Sequence, residues 1–371
     1  RHRAEQRERE AQAQRAQALR EGARAAWSQS RMLEARAKLR LAFEIAPEAD
    51  AASRTLWWQL ERQPLEWRYE LGAYGWAASF SPDQKTIAVS SQDGSVVLID
   101  AATKSARRLR GHHDAVFALD FAADNQRLVT ASFDGEIIVW SLADDRLLWR
   151  KKAHRAGIYA AVFIGGGDIA TAGADGSVHL WDAQGRKLRS LVGHKGRVYD
   201  VTSSPDHKQL ATVGHDGELR LWDRATGKPT AQVTAHRGAA YRVRYAGPGH
   251  IVSAGADRRV AVWTRSLAPV RDLLGNKSRV VSLAVSRDHQ RVASGGFDQS
   301  VRIWSLDGRE LGTLDGHTGS VHGVAFDGDA KRLATTSFDG TVRLWRVEPS
   351  EAARPPSGHD SGVRSIALTA D

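Results

Sequence analysis

Aspartates recur at a constant spacing along most of this chain, and histidines recur nearly in step with them. The aspartates, 41 residues apart, are Asp93, Asp134, Asp175, Asp216, Asp257, Asp298 and Asp339. A histidine close to an aspartate and a hydroxyl group is the arrangement by which hydrolases activate a nucleophile. A catalytic triad, however, needs one unique and exposed copy beside an oxyanion hole, whereas this pattern is repeated. We therefore predict that these residues belong to a scaffold and that the chain contains no catalytic residue.

A second series of residues keeps the same spacing and indicates what the scaffold is. It consists of Trp140, Trp181, Trp222, Trp263, Trp304 and Trp345, with Ile99 at the same phase one period earlier. A repeat of about 40–45 residues built from short strands is the sequence signature of a β-propeller blade. We therefore predict an all-β fold, a seven-bladed β-propeller over residues 65–350.

Each period divides into four strands, as the third period illustrates. We predict strands at residues 157–163, 168–172, 177–181 and 187–191. The pair Asp175-Gly176 favours a tight hairpin between the second and third strands, since glycine tolerates the positive φ that such a turn requires. Apolar residues alternate along the strands, so the blades can stack face to face around a channel.

Short dipeptides carry a resemblance to a known family. Glycine-histidine or alanine-histidine pairs precede the inner strands and end at His112, His154, His194, His236, His317 and His359. Trp-Asp pairs end two of the third strands, at Asp182 and Asp223. From residue 65 onward the sequence thus resembles the WD-repeat propeller family, and within it the bacterial multidomain signalling type.

The resemblance implies a buried tetrad in most blades, formed by a histidine, a strand serine or threonine, the turn aspartate and the tryptophan. The five sets are His112, Thr130, Asp134 and Trp140; His154, Thr171, Asp175 and Trp181; His194, Thr212, Asp216 and Trp222; His236, Ser253, Asp257 and Trp263; and His317, Thr335, Asp339 and Trp345. The sixth blade has Asn276 in place of the histidine, and the first keeps only Asp93, with Val89 and Ile99 in two of the other places. We expect each tetrad to tie its turn to the strands through charge-assisted hydrogen bonds.

Function is expected from residues that differ between blades at equivalent positions. One position near the start of the inner strand is aromatic in five consecutive blades, and the loops beside it are basic. The candidate partner-binding residues are Trp76, Phe117, Tyr159, Tyr199 and Tyr241, with Arg155, Lys195, Arg197, Arg237 and Arg279. Because aromatic and arginine side chains dominate interface hot spots, we predict that this face binds a protein or an acidic peptide segment. The alternative is that the aromatics fill the channel mouth and pack against one another.

Composition narrows the function classes further. The chain has no cysteine, which excludes thiolate metal sites and a cysteine nucleophile. It has no apolar run long enough to span a membrane, and its net charge of +10 suits an acidic partner. We predict no cofactor, no metal and no small-molecule substrate. We expect a cytoplasmic location, with a membrane tether through upstream residues left open.

The leading prediction is a non-enzymatic interaction or sensor module of a larger bacterial signalling protein, with any kinase or NTPase domain upstream of residue 1. Two alternatives stay open. A propeller enzyme would need a cluster of unrepeated Asp, Glu, His or Tyr in the central channel, and none stands out from the repeat pattern. Nucleic-acid binding through the basic loops is disfavoured, and its steep salt dependence would distinguish it.

The N-terminal residues 1–64 differ from the repeats and predict helices. Residues 2–26 are strong helix formers without a clear apolar stripe. Apolar residues at helical spacing between Met32 and Ile45, followed by a possible cap at Asp50, resemble half a tetratricopeptide unit, a helical hairpin. We therefore expect a helical linker and a hairpin in front of the propeller.

The ends of the repeat region raise the question of how the ring closes. Residues 66–71 alternate like a strand and are predicted to supply the outer strand of the seventh blade, which leaves no exposed edge. Residues 351–371 begin as a further repeat, with Gly358-His359. We therefore expect either a second propeller or a larger ring.

Overall fold

The computed structural model of the protein describes residues 2–28, 32–45, 53 and 64–347. The chain divides into two compact units, one formed by residues 1–65 with 346–371 and the other by residues 66–345. The further repeat expected at residues 351–371 lies outside the described residues, as does the helix expected to follow Asp50.

The described residues of the first unit include the helices α1 (His2–Ser28) and α2 (Met32–Ile45). They pack through small side chains: Ala23 and Ala26 of α1 are fully buried with Ala35 and Leu39 of α2. The sequence showed no clear apolar stripe in α1, because alanine is common throughout this helix and its buried positions do not stand out. In the described ranges, no helix is both long enough and apolar enough to cross a membrane.

The second unit is built from short antiparallel strands. Strand β1 covers Leu65–Glu70. The first four blades contain β2 Gly75–Phe80, β3 Thr86–Ser91, β4 Ser95–Asp100 and β5 Ala106–Arg110; β6 Val116–Phe121, β7 Arg127–Ser132, β8 Glu136–Ser141 and β9 Leu147–Lys152; β10 Ile158–Phe163, β11 Ile169–Gly173, β12 Ser177–Trp181 and β13 Lys187–Val192; and β14 Val198–Ser203, β15 Gln209–Gly214, β16 Glu218–Asp223 and β17 Pro229–Thr234. The last three contain β18 Ala240–Ala246, β19 His250–Gly255, β20 Val260–Thr264 and β21 Pro269–Leu273; β22 Val280–Val285, β23 Arg291–Gly296, β24 Val301–Ser305 and β25 Glu310–Leu314; and β26 Val321–Phe326, β27 Arg332–Ser337 and β28 Thr341–Arg346.

Within the described part of the chain these strands form seven four-stranded sheets, so the predicted seven-bladed propeller is confirmed. The hairpins between second and third strands turn where the aspartates recur. Gly176 has a φ of +82°, a backbone conformation that glycine adopts at no steric cost. Arg258 and Gln299 take the same position in the fifth and sixth blades with φ of 68° and 66°, where a side chain adds strain.

The hydrophobic core lies between adjacent blades. Between the first and second blades, Val96 and Leu98 of β4 pack with Leu128 and Trp140 of the next sheet, and all four are almost fully buried. Burying one such side chain stabilises the fold by about 1.5–3 kcal/mol. Each sheet therefore derives its stability from its two neighbours, and the propeller is held together as a ring.

The ring is closed by a strand from the N-terminal side. The seventh sheet has the order β1-β28-β27-β26, so β1 is its outer strand, as the alternation at residues 66–71 predicted. The amide of Leu71 donates to the carbonyl of Gly340 over 2.8 Å. Trp67 and Leu71 are buried with Val342 and Leu344 in one apolar cluster. Strand β28 is thus paired along both of its edges.

Candidate functional site

The structure brings the four residues of each proposed tetrad together in five blades. In the fourth blade, the Trp222 indole donates to the Thr212 hydroxyl over 2.8 Å, and this hydroxyl lies 2.8 Å from His194 Nε2. His194 Nδ1 lies 3.0 Å from Asp216 Oδ1. An indole can only donate and a carboxylate can only accept, so the chain of bonds runs from Trp222 to Asp216 through a neutral histidine protonated at Nδ1.

The other four copies repeat these contacts. Their histidine-to-aspartate distances run from 2.7 Å in the seventh blade to 3.2 Å in the second. Burial alone would raise the pKa of Asp175, but hydrogen bonds from Ser177 and His154 outweigh it and hold this pKa at about 2. Burial in turn lowers the pKa of the His154 imidazole, against the opposing effect of Asp175. At neutral pH the tetrad is therefore a neutral imidazole bonded to an ionised carboxylate.

Two blades depart from this pattern. In the sixth, the Ser294 hydroxyl donates to Asn276 Oδ1 over 3.1 Å, and the buried Asn276 Nδ2 has no hydrogen-bond partner among the described residues. In the first, Leu71 occupies the histidine position and packs with Val89 and Ile99 in an apolar cluster. The first blade thus replaces the polar tetrad by hydrophobic contacts.

The buried histidines predict a loss of stability in mild acid. The pKa values of His154, His194 and His317 are lowered by burial, so the unfolded chain binds more protons than the folded protein below the unfolded pKa of about 6.5. Their contribution is complete above that pH and is lost as the pH falls through the folded pKa values. His322 follows the same rule, since burial and then the charge of Arg242 lower its pKa to about 3.

We therefore expect urea titrations to show a lower free energy of unfolding at pH 5 than at pH 7. Substituting His322→Gln should reduce this difference by about 2 kcal/mol, the contribution of one such group over that interval. His113→Gln, at an exposed histidine, provides the matched variant for comparison. An equal pH dependence in the His322 variant and the unmodified protein would contradict the assignment.

One group of metal-ligating side chains occurs among the described residues. Single ligand atoms of His154, Asp175 and His179 lie within 4.8 Å of one another. The group belongs to the third tetrad, and His154 Nδ1 already lies 2.9 Å from Asp175 Oδ1. His179 stacks on His154 with ring centroids 4.3 Å apart, and burial, followed by the charge of His154, lowers its pKa to about 4. The geometry therefore accounts for all three residues as parts of the blade.

The proposed partner-binding aromatics lie on β-bulges. In the third blade, Ile158 pairs with Gly173 and Ala160 pairs with Ala172, so Tyr159 is an extra residue between two consecutive partners. The inner strands of all seven blades show this shift at the equivalent point. A bulge bends the strand and re-aims a side chain, so each blade turns this residue out of the regular alternation.

The re-aimed side chains form a continuous aromatic arc, which consists of Trp76, Phe117, Tyr159, Tyr199 and Tyr241. Neighbouring ring centroids lie 4.1 Å apart at Trp76–Phe117 and 5.0 to 5.5 Å apart along the rest of the arc. Trp76 also meets His322 of the seventh blade at 4.9 Å. The rings thus pack against one another, yet each remains partly exposed.

The basic residues beside the arc are all exposed. They are Arg155, Lys195, Arg197, Arg237 and Arg279. Burial raises the pKa of Tyr199, and the nearby Arg197 opposes this shift. None of the five forms an ion pair within the described ranges. Phe133 and Phe297 lie beside the arc as exposed aromatics. The channel mouth therefore combines exposed aromatic surface with cations that have no counter-charge.

The central channel contains charged residues that the sequence analysis missed. Asp200 and Arg242 share one cavity with His322, and Asp120 and Arg244 share a deeper one. Asp200 accepts hydrogen bonds from the Val243 amide over 3.0 Å and from Arg244 over 2.5 Å.

Asp120 accepts a bond from the Phe163 amide over 2.8 Å, and burial raises its pKa to about 6. The sequence analysis found no unrepeated charged cluster that stood out from the repeat pattern, and the structure shows one in the channel. A comparison of the residue after the bulge between blades would have found Asp200 and Arg242, because that position is small in the other five blades.

Comparison with known proteins agrees with this architecture. The family model described as WD40: WD domain, G-beta repeat matches residues 75–100, 103–141, 146–182, 185–223, 267–305 and 308–346. The fifth blade lies mainly in the unmatched interval, although its tetrad is complete.

The chain is also similar to several curated proteins. It is 24% identical over 243 residues to a U3 small nucleolar RNA-associated protein 15 homolog from Xenopus tropicalis, covering 64% of this chain and 47% of that protein. It is 30% identical over 216 residues to a ribosome biogenesis protein WDR12 homolog from Drosophila mojavensis, covering 52% and 51%. It is 29% identical over 111 residues to a guanine nucleotide-binding protein subunit beta from Zea mays, covering 28% and 29%. The matches span about half or less of these eukaryotic relatives. With six repeat matches over most of its length, the chain belongs to the WD40 family.

Proposed function

We propose that the protein is a non-enzymatic interaction module whose channel-mouth face binds an acidic segment of another protein. The observation that carries this proposal is the aromatic arc, which is partly exposed and bordered by basic side chains without counter-charges. WD40 propellers bind protein partners, and the relatives are named for ribosome biogenesis and G-protein subunits, which supports an assembly role.

The energetics of the arc support binding of a protein segment. Neighbouring rings restrict one another, so little conformational entropy remains to be lost when a partner covers them. Aromatic side chains bury large areas and are enriched among hot spots. The basic residues attract an acidic segment from solution and accelerate its association. Recognition thus combines an apolar contact with electrostatic steering.

The same geometry argues against nucleic acid as the main partner. Single-stranded nucleic acids bind by stacking bases on free aromatic faces. Along the arc, ring centroids from Phe117 to Tyr241 lie 5.0 to 5.5 Å apart in tilted or edge contacts. A base that stacked between two neighbouring rings would need them roughly twice the usual stacking distance apart, and the rings of the arc lie closer together than that. A protein segment lying across the ring edges fits better.

We further propose that this module is the sensor or scaffold part of a larger bacterial signalling protein in the cytoplasm. Its support is the resemblance of the repeats to that type of propeller; the relatives named above are eukaryotic. The complete reading frame tests this part of the proposal. A kinase or NTPase domain in the same frame is the expected result, and a frame without any signalling domain would contradict it.

Binding can be tested with a library of synthetic peptides of equal length and graded acidity, from which the tightest acidic peptide serves as the probe. Substituting Tyr199→Ala should weaken its binding by about 2 kcal/mol or more in calorimetry, because Tyr199 lies between two other rings of the arc. Arg197→Glu should mainly slow association and flatten its salt dependence.

A matched control is Arg309→Glu, on the hairpin between β24 and β25 at the opposite end of the blades, which should leave binding unchanged. Thermal melts should show that none of the three variants unfolds the propeller. The proposal fails if acidic peptides bind no better than neutral ones, or if Tyr199→Ala binds the probe as tightly as the unmodified protein.

A further inference from the structure

One tier of the channel lies directly behind the aromatic arc and is lined mainly by small residues. In blade order the residues that follow the bulges are Ala77, Ala118, Ala160, Asp200, Arg242, Ser282 and Gly323. They border a cavity of about 80 Å³ that is also lined by Phe117, Tyr159 and His322. A cavity of this size holds several water molecules or one carboxylate group. The small side chains therefore leave a polar space behind the arc.

Arg242 lines this cavity but forms no ion pair with a described residue. Among the described residues, its only hydrogen-bond acceptor is the carbonyl of Tyr241, at 3.0 Å, and no ion pair joins it to a carboxylate. Its side chain is partly buried, and burial lowers the pKa of its guanidinium against the opposing charge of Asp200. A partly buried guanidinium with one hydrogen bond and no ion pair keeps donors that an anion entering the cavity can use.

The other charged groups of the channel are already engaged. Asp200 accepts hydrogen bonds from the amides of Val201 and Val243, at 3.0 Å each, and pairs with Arg244 at 2.5 Å. Asp120 lies a tier deeper, where burial raises its pKa and the Phe163 amide, followed by the charge of Arg244, opposes this shift. Among the arginines that line this cavity, Arg244 is thus paired with a carboxylate, whereas Arg242 forms no ion pair with a described residue.

Arg242 is also directed toward the open centre of the ring. It belongs to the fifth blade, whereas His322 on the other side of the cavity belongs to the seventh. The charge of Arg242 acts on His322, whose pKa is lowered by burial first and by Arg242 second. The charge of Arg242 therefore acts across the cavity on a histidine two blades away, which itself contacts Trp76 of the arc at 4.9 Å.

We propose that this cavity is a subsite for a single carboxylate of the bound segment, an aspartate or glutamate side chain or a C-terminal carboxylate, with Arg242 as its counter-ion. This proposal rests on the proposed function and specifies which chemical group of the partner the channel-mouth face would recognise. A guanidinium presents a planar fork of donors that matches a carboxylate. Asp120 and Asp200 in the same channel repel a second negative charge, so the subsite selects a monoanion over a phosphate dianion.

Two neighbouring arginines of one strand provide a matched pair of variants. Without any ligand, Arg242→Met should leave the thermal unfolding midpoint unchanged or raise it, because it removes a partly buried charge that forms no ion pair. Arg244→Met should lower the midpoint, because it leaves the carboxylate of Asp200 without its cation. If Arg242→Met is destabilised as strongly as Arg244→Met, Arg242 has a partner within the fold and the subsite does not exist.

The ligand class is tested with acetate and inorganic phosphate at constant ionic strength. Acetate should raise the unfolding midpoint of the unmodified protein, and the increase should be absent in Arg242→Met. An equal response of both proteins, or no response of either, overturns the subsite. A larger increase with phosphate than with acetate overturns its assignment to a carboxylate.

The acidic peptide probe separates this inference from the proposed function. We expect Arg242→Met to bind the probe at least tenfold more weakly. If Tyr199→Ala loses binding while Arg242→Met keeps it, the result supports binding at the channel-mouth face and refutes the carboxylate subsite. If neither variant affects binding, the peptide does not use this face, and both proposals fail.

Discussion

Asp216→Ala should lower the free energy of unfolding by about 3 kcal/mol, whereas Asp93→Ala should lower it by about 1 kcal/mol. Asp216 accepts hydrogen bonds from His194 Nδ1 at 3.0 Å and from the amides of Lys195 at 2.8 Å and Glu218 at 3.2 Å. Its removal leaves a buried imidazole N–H without an acceptor and interrupts the chain of bonds that reaches Trp222.

Asp93 has a different environment. It bonds to Ser95 at 2.6 Å and to Arg108 at 3.4 Å near the surface, and the histidine position of its blade is taken by Leu71. The sixth blade provides a second comparison, because it has Asn276 in place of the histidine. We expect Asp298→Ala to lower the free energy of unfolding about as little as Asp93→Ala does. Urea titrations of the three variants under identical conditions measure the difference. Equal losses for Asp216 and Asp93 would show that the tetrads do not hold the blades together.

The second large effect concerns the closure of the ring. Deleting residues 1–63 should leave a folded propeller, whereas deleting residues 1–75 should cause unfolding or aggregation. The longer deletion removes β1 with the buried Trp67 and Leu71, which are 4% and 1% exposed. Losing two such side chains costs about 5–10 kcal/mol, comparable to the entire stability of a typical domain. It also leaves the outer edge of β28 unpaired, and an unpaired edge is a template for aggregation.

Gel filtration and thermal melts distinguish the two truncated proteins. The point substitution Trp67→Ala offers a milder test in the intact chain, with an expected loss of about 3–5 kcal/mol. If both truncated proteins elute as monomers and melt at the same temperature, β1 does not close the ring.

The propeller could be predicted from the sequence because its determinants are local and repeated. Asp175 and Gly176 specify a hairpin by their own backbone preferences, and the alternation along β10 to β13 identifies the buried faces. Because the pattern occurs seven times, the 41-residue repeat is evident even though Arg258 and Gln299 replace the turn glycine in two blades. The role of residues 66–71 followed from counting strands, since the seventh sheet otherwise lacked its outer member.

The chemistry of the channel could not be predicted in the same way. The direction of Tyr159 depends on a bulge, a difference of one residue in register between two strands that leaves no mark in composition. Arg242 occurs once, and a search for repeated residues passes over it. Only the structure shows that Asp200 forms its ion pair with Arg244, so that Arg242 forms no ion pair with a described residue. The alanines of α1 were overlooked for a related reason, because only packing on α2 distinguishes Ala23 and Ala26 from their neighbours.

Closure by β1 has a consequence for the synthesis of the protein. The ribosome makes β1 before any blade, but its partner β28 emerges only roughly 270 residues later. At a translation rate of roughly 5–20 residues per second, this strand waits on the order of 15 to 50 s with Trp67 and Leu71 uncovered. The nascent chain thus carries an exposed, aggregation-prone apolar segment until β28 has been synthesised. Chaperone capacity at the ribosome, rather than the stability of the finished ring, is therefore expected to set the yield of folded protein.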